Sequence, residues 1–213
     1  DIDEMMADYH LLDDSGEMSK VLSVYFEEDK LAEYLDGFDK AGVDPKYLGS
    51  DLVDLSNIAQ VAMVPKEGLY AICDIGHSKT NLCIMEGAQL RYARTIGIGG
   101  IHFTKAIQRV FNLNYEKAEA LKLSRGKIHI REEDSDQVSR ALEEVSNELI
   151  SNIKQTFLGC DNIFGRDIKN AMYCTGGGSK LIGLIDYLSF HLRMNVLELD
   201  PIGVVSHLSL IHI

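Results

Sequence analysis

Three short apolar runs in close succession constrain the fold of this chain more than any other feature. They occupy residues 69–74, 80–86 and 89–96, and only a few residues separate each run from the next. Antiparallel strands can be joined by such short turns, whereas parallel strands need a long crossover, so the spacing predicts an antiparallel sheet. The first turn contains Asp74-Ile75-Gly76-His77-Ser78-Lys79. That sequence is consistent with an ordinary hairpin turn or with a loop that holds phosphate.

The segments on both sides of this sheet predict an α/β protein. Before it, residues 18–62 are interpreted as strand, helix, strand and helix, with the second strand inside residues 43–50. After it, apolar spacing and turn residues predict a series of elements. They are helices at 101–111, about 115–124 and 135–157, a loop at 159–167, a strand at 170–175, a helix at 180–192 and a strand at 195–199.

Composition excludes several classes of protein. The formal charge of −12 argues against a general nucleic-acid-binding role, because phosphate binding draws on Lys and Arg. The four cysteines have no CxxC spacing and the seven histidines no HxxxH spacing, so neither a disulfide framework nor a metal site is expected. No apolar stretch approaches the roughly twenty residues that span a bilayer. A reducing cytoplasm is the expected compartment.

A strand that runs directly into three glycines is the second candidate for a ligand site. Residues 170–175 are followed by Gly176-Gly177-Gly178 and then by a predicted helix. Glycines let the backbone approach a ligand closely, and a helix N-terminus offers unpaired N–H groups. The patterns GxxxxGK[ST] and GxGxxG are both absent. A tight strand-to-helix turn without a ligand is the alternative.

Glu119 and Lys122 form a third candidate. They lie three residues apart in a predicted helix and therefore on one helical face. A local ion pair explains them, and so does the joint presentation of a carboxylate and an ammonium to a ribose and a purine.

The order of these motifs resembles the second half of the actin-like ATPase fold, from about Leu69 to Leu199. The segments DIGHSKTNLCIMEG, TIGIGGIHFTKAIQ and TGGGSKLIGLIDYL are most similar to the PilM family of type IV pilus assembly proteins. The type II secretion L-protein cytoplasmic domain and FtsA of cell division are close relatives of that family. Residues 8–49 resemble the inserted 1C subdomain of PilM and FtsA. The resemblance implies an α/β, actin-like (ribonuclease H-like) ATPase fold, truncated, with a 1C-type insertion subdomain.

The resemblance also implies a domain organisation. Residues 1–50 correspond to the 1C-like subdomain, 51–68 to a connecting helix of domain I and a linker, and 69–206 to domain II, the nucleotide-binding half. The residues 207–213 are a doubtful tail, because the end of the chain, SHLSLIHI, is similar to translated sequencing adaptor. The first phosphate loop of actin-like proteins is expected to be missing, since nothing before Met18 matches it.

The cofactors that the resemblance implies are ATP and Mg²⁺. Asp74 would orient the metal through water, and the residues after it would line the phosphates. Glu119 and Lys122 would hold ribose and adenine, and the triple glycine would lie against the nucleoside. The implied nucleotide-binding residues are Asp74, Gly76, His77, Ser78, Thr80, Gly99, Gly100, Glu119, Lys122, Gly176, Gly177, Gly178 and Ser179.

The implied function is that of a cytoplasmic, nucleotide-binding scaffold of type IV pilus or type II secretion assembly. It would recruit an inner-membrane assembly protein through a PilN-like N-terminal peptide, self-associate, touch the membrane only through partners and bind no nucleic acid. ATP hydrolysis is expected to be slow or absent, and absent from this chain without the first phosphate loop. An FtsA-like division scaffold and a small-molecule kinase on the actin fold are the alternatives. The sequence identifies no catalytic acid beside a sugar pocket for the kinase.

Overall fold

The computed structural model describes residues 5–14, 16–61, 65, 67–165, 168 and 171–200. Within those ranges the chain forms strands and helices that build two sheets. The strands are β1 (Met5–Asp14), β2 (Ser19–Glu27), β3 (Leu69–Ile75), β4 (Thr80–Glu86), β5 (Gln89–Ile96), β6 (Met172–Thr175) and β7 (Val196–Glu198). The helices are α1 (Glu28–Lys40), α2 (Asp51–Val61), α3 (Gly100–Phe111), α4 (Tyr115–Arg125), α5 (Gln137–Phe164) and α6 (Leu184–Leu192).

The larger sheet has five strands in the order β5-β4-β3-β6-β7. Strands β3, β4 and β5 pair antiparallel, which confirms the prediction for residues 69–96. Strands β6 and β7 add to β3 in parallel, so β3 and β6 end at the same edge of the sheet. At that edge Asp74 lies opposite Thr175, the residue that directly precedes the triple glycine.

Each face of this sheet is covered by helices, because alternate residues of a strand point to opposite faces. Ala71, Cys73 and Ile75 of β3 belong to a large core with helices α3, α4, α5 and α6. Tyr70 and Ile72 belong to a smaller core with α2. Both cores are almost free of charged groups, which explains why β3 is a continuous apolar run in the sequence.

The N-terminal part of the chain differs from its prediction. Strand β1 pairs antiparallel with β2 in a separate two-stranded sheet and was not predicted. The strand predicted inside residues 43–50 is wrong, since this segment has no regular structure. Pro45 has no N–H for a strand ladder, and Gly42, two residues after the end of α1, adopts a φ of +70°. The order is therefore β1-β2-α1-α2.

The C-terminal helices also differ from their prediction. Helix α5 continues through the predicted loop to Phe164 and ends at Gly165, whose φ of +65° is typical of a helix C-terminus. Its N-terminus is capped by Asp136, whose side chain accepts a hydrogen bond from the N–H of Ser139 at 2.8 Å. The helix predicted at 180–192 begins only at Leu184, as α6, and a 3-10 turn, Gly177–Lys180, precedes it. The doubtful tail at 207–213 lies outside the described residues.

No helix in the described part of the chain is both long enough and apolar enough to cross a membrane.

Replacing Leu149 by Ala should destabilise the chain by about 2–5 kcal/mol, because a fully buried side chain leaves a cavity. Leu158 on the same helix is 63% exposed and provides the matched control. Leu158→Ala should change the free energy of unfolding by about 0.5 kcal/mol or less. Urea denaturation of both variants measures the difference. Equal losses would contradict the assignment of the buried face of α5.

Candidate functional site

The turn between β3 and β4, called here the 76–79 turn, is held against the start of α3. The N–H of Gly76 donates to the carbonyl of Lys79 at 3.0 Å, which closes the turn. The carbonyls of Gly76 and His77 accept hydrogen bonds from the N–H groups of Gly100 and Ile101 at 2.9 and 2.8 Å. A Cβ on Gly99 would lie 2.7 Å from the carbonyl oxygen of His77, so this contact requires glycine.

The outer backbone of this turn has unused hydrogen-bond donors. Within the described residues, the N–H groups of His77, Ser78 and Lys79 have no hydrogen-bond acceptor. Successive N–H groups at a turn form a concave site for an anion. The local structure therefore suits phosphate, whereas an ordinary hairpin would need no docking against a second glycine segment.

The triple glycine is required for close contact with the end of β3. Gly176 has a φ of +87°, and a Cβ on it would lie 2.2 Å from Asp74 Oδ1. A Cβ on Gly178 would lie 2.8 Å from the carbonyl oxygen of Ile75, whereas one on Gly177 would meet nothing within 4 Å. The first and third glycines thus bring the two turns together, and the second leaves open space beside them.

Helix α4 is tied to the far end of the triple-glycine segment. The N–H of Ile128, just beyond α4, donates to the carbonyl of Ile182 at 2.9 Å. Gly183 has a φ of +82°, and a Cβ there would lie 2.2 Å from the carbonyl oxygen of Ile128. This backbone contact fixes α4 across from the glycine turn.

Glu119 and Lys122 of α4 form a hydrogen-bonded cluster with Thr104 of α3. Lys122 Nζ lies 2.8 Å from Glu119 Oε2, 2.8 Å from Thr104 Oγ1 and 3.2 Å from the carbonyl oxygen of Gly100. The Thr104 hydroxyl also contacts the Glu119 carboxylate. Thr104 was not predicted from the sequence. The cluster joins the predicted acid and base to the docking point of the 76–79 turn.

The cluster keeps Glu119 ionised. Burial raises the pKa of its carboxyl group, but hydrogen bonds from Lys122 and Thr104 and the charges of Lys122 and His77 together lower it below the ordinary value. The carboxylate is therefore available as a hydrogen-bond acceptor for hydroxyl groups such as those of a ribose.

A cavity of about 340 Å³ lies between the two turns and α4. Seven of the predicted residues line it, namely Gly76, His77, Gly100, Glu119, Lys122, Gly177 and Gly178. Sequence reasoning missed the remaining lining residues, Phe103, Leu123, Gly126, Lys180, Leu181 and Ile182. Leu123 and Ile182 are 76% and 61% exposed. In the sequence, Leu123 directly follows a predicted site residue. The cavity thus combines cationic side chains with an apolar wall, which suits an anion that carries a flat apolar group.

The other predicted residues do not line this cavity. Thr80 is fully buried and its hydroxyl donates to the carbonyl of Ile98 at 2.7 Å. Ser179 is buried and its hydroxyl donates to the carbonyl of Gly176 at 2.7 Å. Both hydroxyl groups stabilise the turns from behind. Asp74, Ser78, Gly99 and Gly176 likewise belong to the turns but not to the cavity lining.

Asp74 is affected electrostatically by a second carboxylate, that of Asp51, which the sequence did not reveal. Burial raises the pKa of Asp74, the negative charge of Asp51 raises it further, and Lys79 opposes both. Asp51 is the first residue of α2, and its carboxylate forms an ion pair with the Lys79 ammonium.

The carboxylates of Asp74 and Asp51 fit Mg²⁺ that is held mainly by waters and phosphate oxygens. Mg²⁺ usually takes only one or two carboxylates in such sites. Among the described residues no group of three or more His, Cys, Asp or Glu side chains forms a closed metal site. The residues present therefore suit the indirect metal contact expected for Asp74.

Comparisons with known proteins agree with this geometry. The model of the family described as cell division protein FtsA matches residues 71–208. The solved PilM-PilN type IV pilus biogenesis complex is 25% identical, with a TM-score of 0.77, and the match covers 94% of this chain and 58% of that one. MreB 5 of Spiroplasma citri bound to AMPPNP is 13% identical, with a TM-score of 0.60 and coverage of 83% and 63%. An archaeal actin homolog is 19% identical, with a TM-score of 0.51 and coverage of 71% and 49%.

No curated protein sequence matches the chain. The structural matches show the actin-like ATPase fold in truncated form, and the predicted resemblance to PilM and FtsA is confirmed. The chain spans 58% of the length of the PilM-PilN chain that it matches.

Replacing Asp74 by Asn should stabilise the ligand-free chain at neutral pH. A carboxyl group whose folded pKa is raised destabilises the fold while it is ionised, and this cost disappears as the pH falls through the folded pKa towards the unfolded value. The gain in melting temperature should therefore be present at pH 7 and shrink in acid. Thermal unfolding of both proteins across this pH range measures it. A gain that grows in acid would contradict the raised pKa.

Proposed function

Because the chain belongs to the FtsA family and shares its fold with a PilM-PilN complex, we propose that it is the nucleotide-binding half of a cytoplasmic scaffold for type IV pilus or type II secretion assembly. The cavity between the 76–79 turn, the triple glycine and α4 carries this proposal. The PilM-PilN match supports a pilus or secretion system because it covers 94% of the chain, including the N-terminal subdomain. The family model, which matches from residue 71 onward, supports a cell-division scaffold as the second candidate.

The proposed nucleotide is ATP. Its phosphates would bind the free N–H groups of the 76–79 turn, and its ribose would bind Glu119 and Lys122. Its base would lie against Leu123 and Ile182 at the mouth of the cavity. MreB 5 of Spiroplasma citri, which has the same fold, was solved bound to AMPPNP, and this supports the choice of nucleotide.

Mg²⁺ would bind near Asp74 through water and neutralise phosphate charge when present. Asp74 would accept hydrogen bonds from the waters bound to Mg²⁺. The pKa of Asp74, which is raised in the ligand-free chain, would fall when the cation binds, because a nearby positive charge favours the carboxylate. A scaffold needs the bound nucleotide more than its hydrolysis, so we expect slow turnover or none.

Replacing Lys122 by Gln should weaken ATP binding about tenfold or more, because a hydrogen bond to a charged group is lost. Lys117→Gln on the same helix is the matched control, since Lys117 is exposed and outside the cavity. Isothermal titration calorimetry with MgATP measures both, and thermal unfolding verifies the fold. Equal affinities for the two variants would contradict the site, and an unaltered chain that binds no ATP would overturn the proposed function.

The proposed partner site lies in the N-terminal subdomain, where most of the net charge is concentrated. Residues 1–50 contain 14 Asp or Glu and 4 Lys, a formal charge of −10 out of the total of −12. In the structure β1, β2, α1 and the segment 45–54 surround a groove of about 680 Å³. No residue of α1 is buried, and Tyr47 is 96% exposed. A mostly apolar groove within so acidic a segment suits a partner that has apolar anchors and basic flanks.

A PilN-like inner-membrane protein is the proposed source of that segment. The similar solved structure is a complex of PilM with PilN, which supports a partner of this kind. Helix α1 would contribute apolar side chains such as Leu31, Leu35 and Phe38, all of which line the groove.

Replacing Tyr34 by Ser should weaken binding of a PilN-like N-terminal peptide by about tenfold or more, because aromatic anchors dominate such interfaces. Tyr25→Ser is the matched control, since Tyr25 is 59% and Tyr34 62% exposed but only Tyr34 lines the groove. Fluorescence anisotropy of the labelled peptide measures both. Affinity should also fall with added salt. Equal losses in the two variants, or no dependence on salt, would argue against this groove as the site.

A further inference from the structure

Lys79 belongs to the 76–79 turn but does not line the nucleotide cavity. Its ammonium forms an ion pair with Asp51, the first residue of α2. Asn81 of β4 helps to lower the pKa of Asp51, and it shares its face of the sheet with Cys83 and Met85, which belong to the smaller core with α2. The phosphate turn is thus tied to the start of α2 on the side of the sheet away from the large core.

The same end of α2 borders the partner groove. Ser50, Val53 and Asp54 all line that groove, and they flank Asp51 in the chain. The N–H of Asp54 donates to the carbonyl of Ser50 at 2.8 Å, which closes the first turn of the helix. One side chain, Asp51, therefore contacts the phosphate turn from within the segment that forms the groove wall.

The ion pair is exposed enough to be exchanged. The side chains of Lys79 and Asp51 are 47% and 61% exposed. Ion pairs in that environment are weak because water screens them. A polyphosphate on the neighbouring N–H groups carries several negative charges and competes with a single carboxylate for the ammonium.

We propose that Lys79 exchanges Asp51 for phosphate when a polyphosphate nucleotide binds, and so releases the first turn of α2 at the edge of the partner groove. The inference rests on the proposed function, because it requires nucleotide in the cavity. A ligand shifts the equilibrium between two arrangements of a protein only if it binds one of them more tightly. Here the nucleotide would bind more tightly when Lys79 contacts phosphate than when Lys79 is paired with Asp51. The nucleotide site and the groove are thereby coupled through one lysine.

Hydrogen exchange of the 213-residue chain tests the coupling. Amides 54–58 of α2 are followed without ligand, with MgATP and with adenosine, which has no phosphates. In the unaltered chain ATP should speed their exchange about twofold to fivefold, the range expected for loss of an exposed ion pair, and adenosine should not. In the Lys79→Gln and Asp51→Asn variants, the same amides should exchange without ligand at the rate that the unaltered chain shows with ATP. Adding ATP to these variants should not speed the exchange further. Lys105→Gln, an exposed lysine of α3, should behave as the unaltered chain.

The outcomes separate this inference from the proposed function. Calorimetry on the same samples reports whether ATP binds. Binding without a change at amides 54–58, or an intact response in Lys79→Gln, overturns the coupling and leaves the nucleotide site standing. No binding by the unaltered chain overturns both. Unchanged exchange in β3 and β4 confirms that each variant is folded.

Discussion

Strands β3 and β6 pair in parallel, with Cys73 opposite Cys174 and Asp74 opposite Thr175. Both side chains of the first pair are fully buried, so this register cannot slip without exposing core residues. Because the two strands end together, the 76–79 turn and the triple glycine emerge side by side. Every other part of the candidate site is placed relative to this pair of turns, α3 by hydrogen bonds to the first turn and α4 by its contact beyond the second.

The two faces of the sheet give this edge two different neighbours. On one face α3 and α4 enclose the cavity with Glu119 and Lys122. On the other face α2 packs on β4, where the Cys83 thiol contacts the carbonyl of Leu52 at 3.3 Å. The turn joining β3 to β4 belongs to both environments, since Gly76 and His77 line the cavity and the Lys79 side chain forms an ion pair with Asp51 of α2. The sheet holds both ends of this turn, since Ile75 and Thr80 pair across β3 and β4.

The sequence predicted the parts of the fold that local patterns determine. Strands β3 to β5 and the acid–base pair of α4 follow from alternation, short turns and helical spacing, and the structure has them. Strand β1 was missed because its polar and apolar residues show no clear alternation and β2 supplies its only pairing partner among the described strands. Asp51, Thr104 and the apolar wall at Leu123 were missed because their roles depend on contacts between distant elements. The continuation of α5 through Gly159 was missed because glycine is tolerated where tertiary packing supports a helix.

Charge separates the two proposed sites more clearly than shape does. Since residues 1–50 carry −10 of the −12 total, the remaining 163 residues are close to neutral at −2. The cavity there has Lys122 and Lys180 beside the single carboxylate of Glu119, which favours an anion. The groove is lined by Asp8 and Asp54 beside a single lysine, Lys46, and lies in the acidic segment, so its charge disfavours nucleotides. The net charge of −12 is therefore no obstacle to the proposed polyphosphate ligand, because local cations and N–H groups act at contact distance while the distant acids are screened by salt.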